Sequence, residues 1–263
     1  MLLRLGRRGL TALTVEVMTT QREKLRSSWE VQQAGHAPDR ELRFRLILDY
    51  VEALAGPPRR VLDLCCGPGS LTRRVLERFP EAEVVAVDVD PVLLDLARDA
   101  FAGDDRVSVI ARQLAAPGWY EGLPGTFDAV VTATAMHWFP ADALAGVYAG
   151  VARVLRSGGV FANADHIPIA EPVLRSAADR LHAEHLRTTF ANAEDCDGWY
   201  ERAYSDPRYA GLRAEREKVF AHWSGDLLER DGWHVDLLRR TGFERAGAVW
   251  RRGNDALVVA IRG

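Results

Sequence analysis

The feature of this sequence that most restricts its fold is a short apolar run followed by a glycine turn and a helical pattern. Arg60 to Cys66 is typical of a buried strand, and Gly67 to Gly69 form a tight turn. Ser70 can cap a helix whose apolar side chains recur on one face, at Leu71, Val75, Leu76 and Phe79. A strand, a glycine turn and a helix in this order are typical of an α/β protein.

The same unit recurs along the chain. Apolar runs predict four more strands, over Glu83–Val89, Arg106–Ala111, Phe127–Ala133 and Val160–Ala164. A helical stripe over residues 144–155, ending at Ser157 to Gly159, separates the last two strands, and another helix over Leu42–Leu54 precedes the first strand. Near the C-terminus, Phe243–Trp250 and Ala256–Arg262 flank a polar turn and predict a hairpin. We therefore expect a doubly wound, mostly parallel seven-stranded sheet, Rossmann-like, with an antiparallel C-terminal hairpin.

One segment does not fit this alternation. Residues 166–231 are far longer than the roughly 2–6 residues that usually connect two elements, and they predict a helical insertion. The other residues divide into a flexible leader over 1–24, with Met18 as an alternative start, and a core over 25–165 and 232–263. We expect this core to include N-terminal helices that close over a ligand.

Composition argues against several functional classes. The 263 residues include 34 Lys and Arg against 37 Asp and Glu, with a formal net charge of −3 and 48% hydrophobic residues. This balance disfavours binding to nucleic acid or a membrane and favours a small-molecule partner. Three cysteines, two of them adjacent, form neither a disulfide framework nor a metal-ligand spacing. We expect no metal, a cytoplasmic location, and a monomer or homodimer.

Two classes of ligand suit a glycine turn at the end of the first strand. A dinucleotide-binding turn has a third glycine, where this chain has Thr72, and no acid inside the strand, where this chain has Asp63. An acid in the strand instead suits a ligand that carries an ammonium and a sulfonium group. Asp88 ends the second strand about 20 residues beyond Gly69, the spacing at which a carboxylate reaches ribose hydroxyls. The pattern favours the second ligand, with a nicotinamide-dependent oxidoreductase as the alternative.

With these residues the chain resembles the class I S-adenosylmethionine-dependent methyltransferases that act on small molecules. The resemblance covers Arg60 to Asp165 and Gly232 to Ile261. The motifs that carry it are Asp63-x-Cys65-x-Gly67-x-Gly69, Val85 to Asp88 and Phe127 to Val131. The resemblance implies S-adenosylmethionine as the cofactor.

The resemblance also implies which residues surround that cofactor. The expected members of the site are Arg43, Asp63, Cys65, Gly67, Gly69, Asp88, Val89, Gln113, Leu114 and Thr132. Gly67 and Gly69 would lie along the methionine portion, with Asp63 near its amino group. Asp88 would bind the ribose hydroxyls, and Val89 would pack on the adenine.

Two of these positions depart from the residue that is usual in the family, and a third has two possible roles. Cys65 stands where the family usually has glycine, and we expect a β-compatible φ at this residue. Gln113, with Leu114 beside it, replaces an Asp that is frequent in the family, and its side-chain carbonyl can accept a hydrogen bond from the adenine amino group. Arg43 either binds the methionine carboxylate or lies on a solvated helix face.

Met136 to Phe139 follow the fourth strand, where the family places residues that face the methyl group and the acceptor. His137 and His166 are the candidate catalytic residues, and each is either a general base or a residue that only positions its neighbours. The predicted substrate-binding residues are Trp138, Trp199, Tyr200 and Trp223. The aromatic residues of the insertion form either a lid over the acceptor or a small core of their own.

We expect methyl transfer from S-adenosylmethionine to a small organic acceptor. The favoured reaction is O-methylation of a hydroxyl or carboxylate in specialised metabolism, achieved mainly by proximity and orientation. The alternatives are C- or N-methylation of a small molecule, and a non-catalytic regulatory protein that binds the same cofactor.

Overall fold

The structure is a computed structural model that describes residues 20–37, 39–190, 194–221 and 229–263. Its strands are β1 (Arg60–Leu64), β2 (Glu83–Asp88), β3 (Val107–Ala111), β4 (Phe127–Ala133), β5 (Leu155–His166), β6 (Phe243–Arg252) and β7 (Asp255–Arg262). Its α-helices are α1 (Gln21–His36), α2 (Arg40–Ala55), α3 (Ser70–Arg78), α4 (Pro91–Ala100), α5 (Ala141–Val154), α6 (Pro172–Thr189), α7 (Cys196–Tyr204), α8 (Arg213–Phe220) and α9 (Asp231–Arg240). Short 3-10 helices occupy Met136–Trp138 and Ala210–Leu212.

These strands form one sheet in the order β3-β2-β1-β4-β5-β7-β6. The first five in that order run parallel, and β7 pairs antiparallel with both β5 and β6. The predicted seven-stranded, mostly parallel sheet with an antiparallel terminal hairpin is therefore confirmed. The strand order reverses between β1 and β4, and open α/β sheets bind their ligands at such a point.

Two element boundaries differ from the sequence pattern. Ser157 to Gly159 lie inside β5, although the pattern placed them at the end of a helix. The strand begins earlier because Leu155 pairs with Phe127 of β4, ahead of a register shift in the same pairing. At the other end of the chain, α1 begins at Gln21, where Thr20 and Glu23 form a capping box. The remaining residues of the predicted leader, 1–19, lie outside the described residues.

Helices cover both faces of the sheet. On one face, α2 and α3 pack on the strands through Phe44, Ile47, Val51, Leu71 and Val75. On the other face, α5 and α9 pack through Leu144, Val147, Val151, Leu237 and Leu238. The strands contribute apolar side chains to both cores, and β1 and β2 are buried along almost their whole length because helices cover both faces of the sheet.

The insertion adds a third cluster away from the sheet. In this cluster α7 packs against α1 and α4, with Leu25, Trp29, Val92, Leu96, Trp199, Tyr200, Ala203 and Tyr209 as members. By contrast, α6 has no buried residue and exposes Val173, Leu174 and Leu181. None of the described helices combines the length and the apolar composition that a membrane span requires.

We predict that Gly150→Ala destabilises the protein and that Gly146→Ala, in the same helix, does not. A Cβ at Gly150 would lie 2.4 Å from Nε1 of Trp119, whereas a Cβ at Gly146 would meet no heavy atom within 4 Å. Overpacking costs about 1–3 kcal/mol, while alanine at an exposed helical glycine gains up to about 1 kcal/mol. Thermal unfolding compares the two variants, and equal Tm values would contradict the prediction.

Candidate active site

The backbone turns sharply at the carboxyl ends of β1 and β4. Cys65, just after β1, has a φ of 56°, and Thr134, just after β4, has a φ of 55°. Residues other than glycine rarely adopt this left-handed conformation, and it concentrates at functional sites. The β-compatible φ expected at Cys65 is therefore wrong. The amide of Cys66 still donates to the carbonyl of Val87 in β2 at 3.0 Å, and α3 begins at Ser70. The chain therefore has only a few residues in which to turn from the strand into the helix.

Two buried carboxyl groups lie at the neighbouring ends of β1 and β2. Asp63 accepts a hydrogen bond of 2.6 Å from the hydroxyl of Thr72, and burial raises the pKa of Asp63 to about 7. Asp88 accepts hydrogen bonds from the amides of Gly67, Val89 and Asp90 at 2.7 to 2.9 Å. Burial raises the pKa of Asp88 to about 6 despite these three donors. The edge of the sheet therefore holds carboxyl groups whose negative charge the protein does not fully compensate.

The loop after β3 carries a polar atom without a partner. The side-chain oxygen Oε1 of Gln113 is buried and accepts no hydrogen bond from the residues that the structure describes. The neighbouring Leu114 is buried, and Val89 is half-buried beside Asp88. A buried hydrogen-bond acceptor without a partner lowers the stability of the folded protein unless a ligand donates to it. Thr132, by contrast, is fully buried within β4, opposite Asn163 of β5.

Arg43 has a partner within the protein. Its side chain is 1% exposed, and Nη2 forms an ion pair of 2.7 Å with Oδ2 of Asp255, the first residue of β7. It is thus not on a solvated helix face. The binding of a methionine carboxylate by Arg43 stays a prediction.

His137 is held by a buried carboxylate after β4. Its ring Nδ1 lies 2.7 Å from Oδ1 of Asp165, and its backbone amide donates to Oδ2 of the same residue at 3.0 Å. The amide of His166 also donates to Asp165, at 2.8 Å. Burial alone would raise the pKa of Asp165, but the charge and hydrogen bonds of the two histidines outweigh it and lower that pKa to about 2. Asp165 is therefore ionised throughout the physiological range.

His166 forms a second pair of the same kind. Its Nδ1 lies 2.5 Å from Oδ1 of Asp255, the residue that also binds Arg43. The rings of His137 and His166 have centroids 5.0 Å apart, and the ring of His36 lies 5.1 Å from that of His166. The two predicted catalytic histidines therefore lie side by side.

The sequence reasoning missed the two carboxylates that hold these rings. Asp165 had a usable signal, because it is a carboxylate that directly follows the strand predicted over Val160–Ala164. Asp255 had none, since it begins the second strand of the terminal hairpin, almost 90 residues after His166, and the two residues meet only through the pairing of β5 with β7.

The predicted substrate-binding aromatic residues separate into different environments. Trp138 is 43% exposed and lies beside His137. Trp199 is fully buried, and its Nε1 donates to the carbonyl of Leu25 and the hydroxyl of Ser28. Tyr200 is buried and donates its hydroxyl to Asp90 at 2.8 Å. The predicted Trp223 lies outside the described residues.

The chain is similar to known methyltransferases in both sequence and structure. Residues 61–159 match the family model of the methyltransferase domain. A trans-aconitate 2-methyltransferase from Streptomyces avermitilis is 33% identical over 117 residues, which are 43% of this chain and 42% of that protein. A demethylmenaquinone methyltransferase from Deinococcus radiodurans is 37% identical over 138 residues, which are 51% of this chain and 54% of that protein. The chain thus spans about half the length of these curated relatives.

Two solved structures show the same fold. Human N-acetylserotonin methyltransferase in complex with S-adenosylmethionine has a TM-score of 0.57 and 13% identity, covering 93% of this chain and 57% of that one. A TehB-like S-adenosylmethionine-dependent methyltransferase from Corynebacterium glutamicum has a TM-score of 0.53 and 15% identity, covering 92% of this chain and 98% of that one. These findings confirm the resemblance to class I S-adenosylmethionine-dependent methyltransferases. Residues 61–159 match the methyltransferase domain in sequence, and the chain shares the fold of the two solved enzymes.

The residues of the site fit S-adenosylmethionine, the cofactor of this class. A carboxylate has about four acceptor positions, so Asp88 retains capacity for a ribose hydroxyl after binding three amides. The unpartnered Oε1 of Gln113 suits the adenine amino group. Gly67 leaves its backbone open, because a Cβ there would meet no heavy atom closer than Nε1 of Trp29 at 4.0 Å.

We predict that Asp63→Asn stabilises the protein at pH 8 and leaves its stability nearly unchanged at pH 4. The pKa of Asp63 in the folded protein, about 7, lies above that of an unfolded aspartate, about 3.9. The native state therefore binds this proton more tightly, and stability is lost as the pH rises from about 4 to about 7. The introduced side-chain amide still accepts from Thr72 without a charge, so we expect a gain of about 2–4 kcal/mol at pH 8.

Chemical denaturation of both proteins at pH 4 and pH 8 measures this difference. A free-energy difference between variant and wild type that is the same at both pH values would contradict the prediction, because an uncharged effect does not depend on pH.

Proposed function

We propose that this protein transfers the methyl group of S-adenosylmethionine to an oxygen atom, a hydroxyl or a carboxylate, of a small organic acceptor in specialised metabolism. The observation that carries the proposal is the buried His137–Asp165 pair, which follows β4 at the edge where the cofactor residues lie. An oxygen acceptor that carries a proton must lose it during methylation. A histidine held by a carboxylate can take up that proton.

The proton position on His137 follows from its partner. Because Asp165 is ionised, Nδ1 of His137 carries the ring proton and donates a hydrogen bond to Oδ1 of Asp165. This leaves Nε2 as the acceptor for the proton of a substrate hydroxyl. The imidazolium formed in this way is stabilised by the charge of Asp165.

Orientation contributes more than proton transfer. S-adenosylmethionine, when bound, supplies a methyl group that its sulfonium already activates. Alignment of donor and acceptor can then supply about 7–11 kcal/mol, whereas a general base adds a factor of about 10² to 10⁴ in rate. His137 is therefore expected to increase the rate of a reaction that binding geometry already makes feasible.

The relatives support a small acceptor. One is named for trans-aconitate, a small polycarboxylate, and another for demethylmenaquinone. Trans-aconitate offers carboxylate oxygens as possible methyl acceptors, which supports O-methylation as the first candidate, and C-methylation is the second. A catalytically silent protein would bind the cofactor and methylate no acceptor.

Two measurements test the proposal. Titration calorimetry with S-adenosylhomocysteine and with NADH should give heat for the first ligand only. Methyl-labelled S-adenosylmethionine with trans-aconitate, demethylmenaquinone, aliphatic acids and phenols should then give a labelled O-methyl product. Binding without transfer to any of these would favour the silent protein, and label on carbon or nitrogen would favour C- or N-methylation.

We predict that His137→Ala lowers turnover of a hydroxyl acceptor by about 10²-fold and leaves affinity for S-adenosylhomocysteine nearly unchanged. A carboxylate acceptor is already ionised at neutral pH and needs no base, so its turnover should fall far less. Steady-state kinetics with one acceptor of each kind, together with calorimetry, measure the effect.

His185→Ala is the matched control, because His185 lies on α6 with its ring against Phe190 rather than in the His137–Asp165 pair. Loss of cofactor affinity in His137→Ala, or equal losses for both acceptors, would remove His137 as the proton acceptor.

A further inference from the structure

Asp90 is a buried carboxylate that joins the insertion to the first helix after β2. It caps α4, since Oδ1 accepts from the amides of Val92 and Leu93 at 2.9 and 3.1 Å. Its other oxygen, Oδ2, accepts from the hydroxyl of Tyr200 at 2.8 Å and from Nε of Arg216 at 2.7 Å. The side chain of Asp90 is 2% exposed. Groups from α4, α7 and α8 therefore meet on one carboxylate.

The two donors from the insertion are themselves held in place. The guanidinium of Arg216 lies 3.7 Å from the centroid of the Tyr200 ring and 4.8 Å from that of Phe220. Tyr200 packs in turn on Trp199, whose ring nitrogen donates to the carbonyl of Leu25 in α1. The side chains that bind Asp90 thus belong to the same set of contacts by which the insertion packs on α1.

Asp90 is also coupled to the ribose carboxylate predicted at Asp88. The backbone amide of Asp90 donates to Oδ1 of Asp88 at 2.9 Å, and the same oxygen accepts from Val89 at 2.7 Å. Oδ2 of Asp88 accepts from Gly67 of the glycine turn at 2.8 Å. The orientation of Asp88 therefore depends on the conformation of residues 88–90, which the side chain of Asp90 anchors.

We propose that Tyr200 and Arg216 are positioning residues for the cofactor: by gripping Asp90, the insertion helices α7 and α8 fix the backbone that aims Asp88 at the ribose hydroxyls. This inference rests on the proposed binding of S-adenosylmethionine at Asp88. It gives the second half of the insertion a role in cofactor binding that is separate from acceptor choice.

A consequence is that cofactor binding and docking of the insertion reinforce each other. If the contacts of Tyr200 and Arg216 with Asp90 order Asp88 for the ribose, a bound ribose must stabilise those contacts by the same free energy. Removing the contact that Tyr200 or Arg216 makes with Asp90 should therefore lower the affinity for the ligand. The loss should come chiefly from the ribose hydroxyls, and not from the methionine or adenine portions.

The test compares S-adenosylhomocysteine with its analogue that lacks both ribose hydroxyls, using calorimetry on the full chain. For Tyr200→Phe and for Arg216→Gln we expect affinity for S-adenosylhomocysteine to fall about three- to tenfold. The affinity for the dideoxy analogue should change less than about twofold. Tyr200→Phe removes only a hydroxyl, so the packing of the third cluster is retained.

Arg213→Gln is the matched control in the same helix. Arg213 pairs with Glu201 and lies over the ring of Tyr204, away from the contacts that Asp90 makes with Tyr200 and Arg216. It should leave both affinities unchanged, which separates the hold on Asp90 from a general loosening of α8.

Three results would overturn the proposal. Unchanged affinity for S-adenosylhomocysteine in both variants would show that Asp88 does not depend on the hold on Asp90. Equal losses for the two ligands would show a structural effect without ribose positioning. Absence of binding by the wild-type protein would instead refute the cofactor assignment itself, and the inference with it.

Discussion

The meeting of strand ends at one edge of the sheet is the constraint on which the rest of this structure depends. The parallel strands bring their carboxyl ends to that edge, and the backbone must turn sharply there, with left-handed conformations at Cys65 and Thr134. β7 runs in the opposite direction, so its first residue, Asp255, lies opposite His166 at the same edge. Polar groups far apart in the chain therefore share one small region.

The buried carboxyl groups at this edge fall into two classes, which their pKa values distinguish. Asp165 and Asp255 have lowered pKa values despite burial, because histidine partners, and Arg43 for Asp255, stabilise their charge. Asp63 and Asp88 have raised pKa values, since a hydroxyl and backbone amides do not offset the loss of solvent. The charges of Asp165 and Asp255 are thus stabilised by side chains of the protein itself. The second class favours a ligand that brings positive charge or hydroxyl donors, as the proposed cofactor does.

The helices of the insertion pack against two different parts of the protein. α6 lies against the terminal hairpin, where the side-chain amide of Asn254 donates to Asp179 at 2.6 Å and to the carbonyl of Arg175. α7 and α8 instead dock on α1 and α4, next to Asp90. The aromatic residues Trp199 and Tyr200 take part in this docking, which supports the interpretation of the insertion as having a small core of its own, shared with α1.

The strands and the glycine motif could be predicted from the sequence, because both depend on local patterns. Apolar runs predicted the strands, and helical repeats predicted α2, α3 and α5. Asp63, Gly67, Gly69 and Asp88 could be recognised from their positions relative to the predicted strands. The tertiary structure alone decided which side chains pair. Asp255 with His166, Arg43 with Asp255, and Arg216 with Asp90 join residues 89 or more positions apart. Such contacts depend on strand register and helix packing, and the periodicity of a chain carries no information about either across that distance.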